Sequence, residues 1–338
     1  MVSRFQEIDI LRSMAIIFVI FAHIDSYTKL PILEKLDGTF AVLGLTIFFF
    51  ISGFLMQLNN KFNTYGNIYS FFKKRATKIY PLYWLSIALI CVMNRVGFDV
   101  LGSNDIDSDK FMLLLNVLGF QGFFSENYSL SIWWFVGVIL LYYLLFSIIL
   151  CYSKNIESLL IYSFFAVFPL LFLKNEFNMI NVNVFVFYFI FIAGILSATA
   201  ESLQSLKKIT LFYSILLFVF LLLPYFGINA DNLADIKHDI FFLILLFVFT
   251  LYKIKTPRQS MFKLPKLVKN LADSSYSTYL FHIPILTVFE TFVNSLIPLD
   301  ITNSYLSDYL TLFIGIPFTL FMGYYIMIYF NKLYEKLV

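Results

Sequence analysis

Charge is what this sequence has least of. Asp, Glu, Lys and Arg make up 13% of it, about half the share of an average soluble domain. Cysteine is nearly missing: Cys91 and Cys151 are the two in 338 residues, and both fall in or at the edge of apolar runs. That excludes a disulfide framework and a thiolate cluster, and leaves the two as packing residues. The net charge is +3 with no long basic tract, so nothing supports nucleic-acid binding. The phosphate loop, the dinucleotide fingerprint, H-E-x-x-H and the G-x-S-x-G elbow are all absent. The three histidines, His23, His238 and His282, stand in three different segments and give little support to a metal site. No internal repeat, low-complexity linker or separate soluble domain is visible. The chain reads as a single integral-membrane domain over 1–338.

What is present is apolar surface. The sequence is 60% hydrophobic and 20% aromatic, with a mean hydropathy of +0.82. A soluble core cannot hide that much Phe, Leu and Ile. The expected fold is all-α, a polytopic transmembrane helical bundle in contact with membrane lipid. The apolar runs are continuous rather than alternating, which argues against a β-barrel. Runs of spanning length occur at about 8–28, 39–58, 79–97, 131–151, 157–174, 182–199, 209–226, 237–253, 274–296 and 308–331, giving about ten spans. An eleventh run, 111–123, is too short to cross and reads as re-entrant or interfacial. Asp9 and Arg12 interrupt the first run, so a cleavable signal is not expected there. Pro224, Pro298 and Pro317 are expected at helix ends or kinks.

Lys and Arg set the orientation. With ten spans, one side collects Lys73, Lys74, Arg75, Lys78, Lys207, Lys208 and most of the rest. The other holds Lys29, Lys35, Lys110, Lys174 and Lys237, with Arg95 at a helix end. Both termini are therefore expected in the cytoplasm. The bias stays on one side after residue 131, which argues against a crossing at 111–123. The long outer loop 98–130 is acidic (Asp99, Asp105, Asp107, Asp109, Glu126) and reads as a solvated loop or as a lid over an outward-facing acceptor.

Ionisable residues inside a span are costly and so point to use. Arg12 and His23 are eleven residues apart in the first span, about three helical turns, on one stripe and roughly 16 Å apart along the axis. The pattern suggests a cation near the inner face and a proton acceptor deeper in the bilayer. Asp9, three residues before Arg12, either forms an interfacial pair with it or orients it towards an anionic ligand. Ser52 and Gly53 in the second span offer a hydroxyl and a close helix approach. Lys73, Lys74, Arg75 and Lys78 precede the third span and are either a topology signal or phosphate partners at a helix start. Tyr83 and Trp84 fit an interfacial aromatic belt. In the ninth span Tyr276, Tyr279 and His282 recur at three-residue steps and share a face. Glu290 lies at a depth similar to that of His23, so by accepting a hydrogen bond from His23 it could fix the His23 tautomer, as an acid does in a triad.

Four of these stretches, in order, resemble the membrane acyltransferase family 3, the bacterial O-acyltransferases of surface carbohydrates. Arg12 through His23 resembles its R-x10-H signature. Phe48-Phe49-Phe50-Ile51-Ser52-Gly53 resembles its FFxxSG element. Arg75-Ala76-Thr77-Lys78-Ile79-Tyr80-Pro81-Leu82-Tyr83-Trp84 resembles RxxR-I-x-P-x-Y-W, with Lys78 in place of the second arginine. Ser275-Tyr276-Ser277-Thr278-Tyr279-Leu280-Phe281-His282 resembles S-Y-x-x-Y-L-x-H. Trp133-Trp134-Phe135 is followed by Val138-Ile139, without the glutamate seen in some members. No appended esterase-like domain is expected after the bundle.

The resemblance implies a multi-pass protein of the bacterial inner membrane that uses acyl-CoA, acetyl-CoA first among donors, from the cytoplasmic side as co-substrate. It implies no permanently bound cofactor and no metal. Arg12, Lys74, Arg75 and Lys78 would meet the anionic CoA. His23, helped by Glu290, would act as general base on a hydroxyl of a lipid-linked or surface saccharide such as O-antigen or capsule; an acyl-histidine intermediate is the other route. Ser52, Gly53, Tyr276, Tyr279, His282 and Trp134 would support the substrate, the oxyanion or the structure. A flippase or transporter of lipid-linked saccharide is the second reading, with the missing repeat against it. A purely structural subunit is the third, with the intramembrane Arg, His and Glu against it.

Overall fold

Backbone N–H and C=O groups find no water in a hydrocarbon slab, so a chain this apolar satisfies them within helices. The computed structural model describes residues 5–24, 27–28, 37–59, 62, 64–98, 100, 110–124, 133–180, 183–200, 202–222, 264–297 and 304–337. Among them the regular elements are helical, and one isolated antiparallel bridge joins Phe124 to Met179. In chain order they are α1 (Gln6–Ile24), α2 (Asp37–Asn59), α3 (Tyr65–Arg95), α4 (Lys110–Leu118), α5 (Trp134–Tyr152), α6 (Ile156–Phe165), α7 (Val167–Phe177), α8 (Asn183–Val186), α9 (Tyr188–Thr199), α10 (Leu203–Leu222), α11 (Lys266–Leu296), α12 (Ser304–Leu310) and α13 (Ile316–Leu337). A 3₁₀ turn, Gln121–Phe123, follows α4. A π-helical turn, Thr311–Gly315, joins α12 to α13. Pro317 follows that turn, and lacking an N–H it cannot continue the α ladder there.

Six helical stretches among the described residues are long and apolar enough to cross a membrane: Gly38–Asn59, Tyr65–Arg95, Trp134–Tyr152, Ile156–Phe177, Lys266–Leu296 and Leu306–Lys336. This is a multi-pass helical membrane protein. The expected span at 182–199 is the shorter apolar stretch Asn183–Thr199. That at 209–226 overlaps α10, and that at 237–253 lies outside the described residues, as do Pro224 and Pro298.

Contacts fix the helix directions. α1 and α11 run side by side in the same sense: Ser13 Oγ donates to Val268 O (2.8 Å), and Tyr27, just past α1, pairs with Thr287 Oγ1 (3.0 Å). α2 runs against α1, with Phe5 on Phe54 and Phe18 on Phe40. α5 runs against α3, with Phe71 on Tyr143 and Tyr83 on Trp133. α13 runs against α11, with Ser277 Oγ bonded to Gly323 O and Phe289 against Phe318. Where α2 crosses α9, a Cβ added at Gly53 would stand 2.2 Å from Phe191 O, and one at Gly194 would stand 2.1 Å from Phe50 O. Only glycine on both sides lets the two backbones touch.

Two sequence expectations change here. α3 starts at Tyr65, where the Thr64 side chain accepts from the N–H of Asn67. Lys73, Lys74, Arg75 and Lys78 therefore lie inside α3 rather than ahead of it, and no helix N-terminus backs them. Tyr83 is fully buried and not part of an interfacial belt. Its hydroxyl has another task. The run 111–123 folds as the nine-residue α4 and the 3₁₀ turn, and α4 ends against α3. Gly119, at φ 75°, reverses the chain. The N–H groups of Phe120 and Gly119 bond to Leu115 O (2.8 Å) and Asn116 O (3.0 Å), a Schellman end. The last carbonyls then accept from α3: Tyr83 OH to Asn116 O (2.6 Å), Trp84 Nε1 to Val117 O (2.9 Å) and Tyr80 OH to Leu118 O (2.7 Å). The Tyr80–Trp84 stretch is thus a cap for a neighbouring helix.

Candidate active site

α1 buries Ala15, Ile16, Val19, Ile20 and Ile24; Arg12 and His23, in line with Ile16 and Val19 at i, i+4, i+7 and i+11, are half-buried at the two ends of that stripe. In the last turn of α1, His23 meets a second imidazole, that of His282 on α11. The ring centroids are 5.1 Å apart, with planes at 42°. His282 is 1% exposed. Its Nδ1 lies 2.6 Å from the carbonyl oxygen of Tyr279. A carbonyl only accepts, so Nδ1 carries the proton, and in the neutral ring Nε2 holds a bare lone pair. That Nε2 is buried with no hydrogen-bond partner among the described residues.

The three-residue rhythm of α11 brings three neighbours to one face. Tyr276 OH donates to Ile79 O on α3 (2.9 Å). The Tyr279 ring lies 5.2 Å from Phe135 on α5 and 5.9 Å from His282. His282 reaches α1. Tyr276 is also within electrostatic range of Tyr80, Tyr83, Tyr143 and Tyr279. Tyr143 in turn carries the guanidinium of Arg75, 5.0 Å above its ring and 5.3 Å from that of Phe71. Arg75 is half-buried by these stacks, while Lys74 and Lys78 are exposed. The result is a row of side chains from Arg75 through Tyr143, Tyr276 and Tyr279 to the paired histidines.

A model described as an acyltransferase domain matches residues 5–331. The chain belongs to acyltransferase family 3. Neither a curated protein nor a solved structure gives a match. In this family 3 acyltransferase the four stretches that carry the resemblance lie on α1, α2, α3 and α11. Those of α1 and α11 meet at the histidines, and those of α3 and α11 meet at Tyr276.

The remaining candidates are more dispersed. Asp9 is buried, and Ser13 Oγ, one turn on, bonds both Asp9 O and Val268 O. Arg12 therefore sits level with the first turn of α11. Ser52 is half-buried beside the glycine crossing. Trp134 leans on Phe49 and Phe187, 6.4 and 5.9 Å away. Glu290 stands eight residues past His282, about 12 Å along the axis, with Asn294 and Asp308 as neighbours. The ring beside His23 is that of His282. Among the described residues no three His, Cys, Asp or Glu side chains converge as a metal site requires.

One polar cluster had no forecast. Gln121 Nε2 donates to Tyr83 OH and to Trp133 O, both at 2.9 Å. Both its N–H groups are used, which fixes the amide orientation. Gln121 Oε1 and Trp133 Nε1 are left buried without partners among the described residues. The only sequence signal was a glutamine two residues past a glycine in an apolar run.

Proposed function

We propose that this membrane acyltransferase is an O-acetyltransferase of the bacterial inner membrane, moving the acyl group of cytoplasmic acetyl-CoA to a hydroxyl of a lipid-linked or surface saccharide. The observation that carries the reading is the pair of imidazoles at the end of the row that begins at Arg75. Arg75, Lys74, Lys78 and Arg12 would meet the CoA phosphates at one end of the bundle. The pantetheine arm would follow Tyr143, Tyr276 and Tyr279, delivering the thioester to the histidines. His23 takes the proton of the acceptor hydroxyl as its oxygen attacks the acyl carbon. The C–S bond then breaks, and the thiolate leaves with the proton that His23 held. The hydroxyl of Tyr279 is the candidate for the oxyanion; Ser52, which the antiparallel α1–α2 pairing sets opposite the start of α1, lies about 24 Å along the axis from His23 and is left to packing. Ten spans with both termini in the cytoplasm put the Arg75 end of α3 on the side where CoA is found.

The test compares wild type with His23→Ala in the native host. Mass spectrometry of the surface glycan should show the ester lost, with glycan length and export intact. Loss of exported glycan altogether would indicate a flippase instead.

A further inference from the structure

We infer that His282 is the positioning residue for the His23 base: its bare Nε2 accepts the N–H of one His23 nitrogen and turns the other nitrogen to the reacting hydroxyl. This rests on the acyl-transfer reading above and adds to it the group that orients the base.

Three observations converge on that role. The Nδ1 contact with Tyr279 O (2.6 Å) settles where the His282 proton is. The lone pair at Nε2 is buried and unmet among the described residues, so it remains an acceptor in search of a donor. The centroid spacing of 5.1 Å matches the roughly 5 Å that two imidazoles keep when joined edge to edge by an N–H···N bond. A turn of the His23 ring, with His282 held on Tyr279 O, would close that bond.

A neutral partner also suits the medium. A carboxylate beside His23 would have to remain ionised inside the slab, at a high desolvation cost. A neutral ring locked as acceptor gives the same orientation without a buried anion. Neutral His23 has one N–H, and giving it to His282 leaves its second nitrogen bare. The acceptor hydroxyl loses its proton to that nitrogen while its oxygen bonds the acyl carbon. The C–S bond breaks, and the CoA sulfur takes the same proton away. The N–H shared with His282 stays in place throughout.

The test uses the full chain in nanodiscs made with the native host's membrane lipids, which carry the saccharide acceptor, with acetyl-CoA as probe and release of the CoA thiol as readout. His282→Phe keeps a ring and removes the acceptor; kcat should fall about 10²- to 10³-fold, with KM for acetyl-CoA within about twofold of wild type. His282→Gln puts an amide oxygen near the place of Nε2 and should recover activity to within about tenfold. A merely structural ring reverses that order, because a buried site prefers Phe to Gln, and that result overturns the proposal. Nitrogen NMR of histidine-labelled protein gives a second readout, since only three imidazoles contribute. The Nε2 of His282 should be unprotonated and hydrogen-bonded, and should shift in His23→Ala. A protonated Nε2, or one indifferent to His23→Ala, also overturns it. Should His23→Ala turn over acetyl-CoA like wild type, or wild type not turn it over at all, the catalytic reading above fails, and the nitrogen spectrum still decides whether the rings are bonded.

Discussion

At the scale of single residues, Arg75 and Trp133 separate two kinds of burial. Arg75 lies over the faces of Phe71 and Tyr143, so its planar guanidinium matters as much as its charge. Arg75→Lys keeps the charge and loses the stack; Arg75→Ala loses both. KM for acetyl-CoA should rise roughly 10-fold or more in Arg75→Ala, less in Arg75→Lys, and added salt should raise wild-type KM in the same direction. Steady-state kinetics over an ionic-strength series checks this. Trp133 has a buried N–H with no partner among the described residues. Removing an unmet donor should not destabilise a fold. Trp133→Phe should lose only the edge contact with Tyr83 and remain within about 1 kcal/mol of wild type, read as a melting shift in detergent. A much larger loss means the indole N–H is bonded in the working protein.

At the scale of elements, the tightest constraint is the α2–α9 crossing. Gly53→Val places branched carbons where the carbonyl of Phe191 already stands. The two helices must then part, at a cost of about 1–3 kcal/mol or more. Ser52→Ala, one residue away, should be mild. Melting temperature and yield of folded protein distinguish the two. Elements also show what the sequence could and could not reveal. Hydropathy located α2 and α5 because both are apolar from end to end. It missed the first fourteen residues of α3 because Tyr65, Gly66, Asn67, Tyr69, Ser70, Lys73 and Lys74 are exposed, and a hydropathy profile registers only the part of a helix that lipid surrounds. Depth arguments placed Glu290 level with His23 by starting the span at residue 274; α11 starts at Lys266, His282 is the residue level with His23, and Glu290 lies about 12 Å beyond it. Eight residues turn a helix by about 80° beyond two full turns, so Glu290 and His282 face different neighbours. The three-residue spacing of Tyr276, Tyr279 and His282 was legible as a shared face. Which helices that face would meet was not, because that depends on contacts hundreds of positions apart in the chain.

At the scale of the whole molecule, helix directions and basic residues make one joint statement. α1, α3 and α11 run one way and α2, α5 and α13 the other. Lys73, Lys74, Lys78, Lys266 and Lys269 are exposed near the starts of α3 and α11. These starts should be cytoplasmic, as should both termini. Reporter enzymes active only in the cytoplasm should work when fused after residue 338, and periplasmic reporters should work when inserted between α3 and α4. Either reporter active on the opposite side would invert the bundle and strand the donor site away from CoA.

The short helix between α3 and α5 has a consequence for biogenesis. Alone in lipid, α4 would present the carbonyls of Val117 and Leu118 bare to hydrocarbon, so it inserts poorly as an independent unit. The groups that receive them, Tyr80 and Trp84, belong to α3, which the ribosome makes first. The earlier helix waits in the bilayer with its donors already in place, and the later segment enters by docking on it rather than by partitioning on its own.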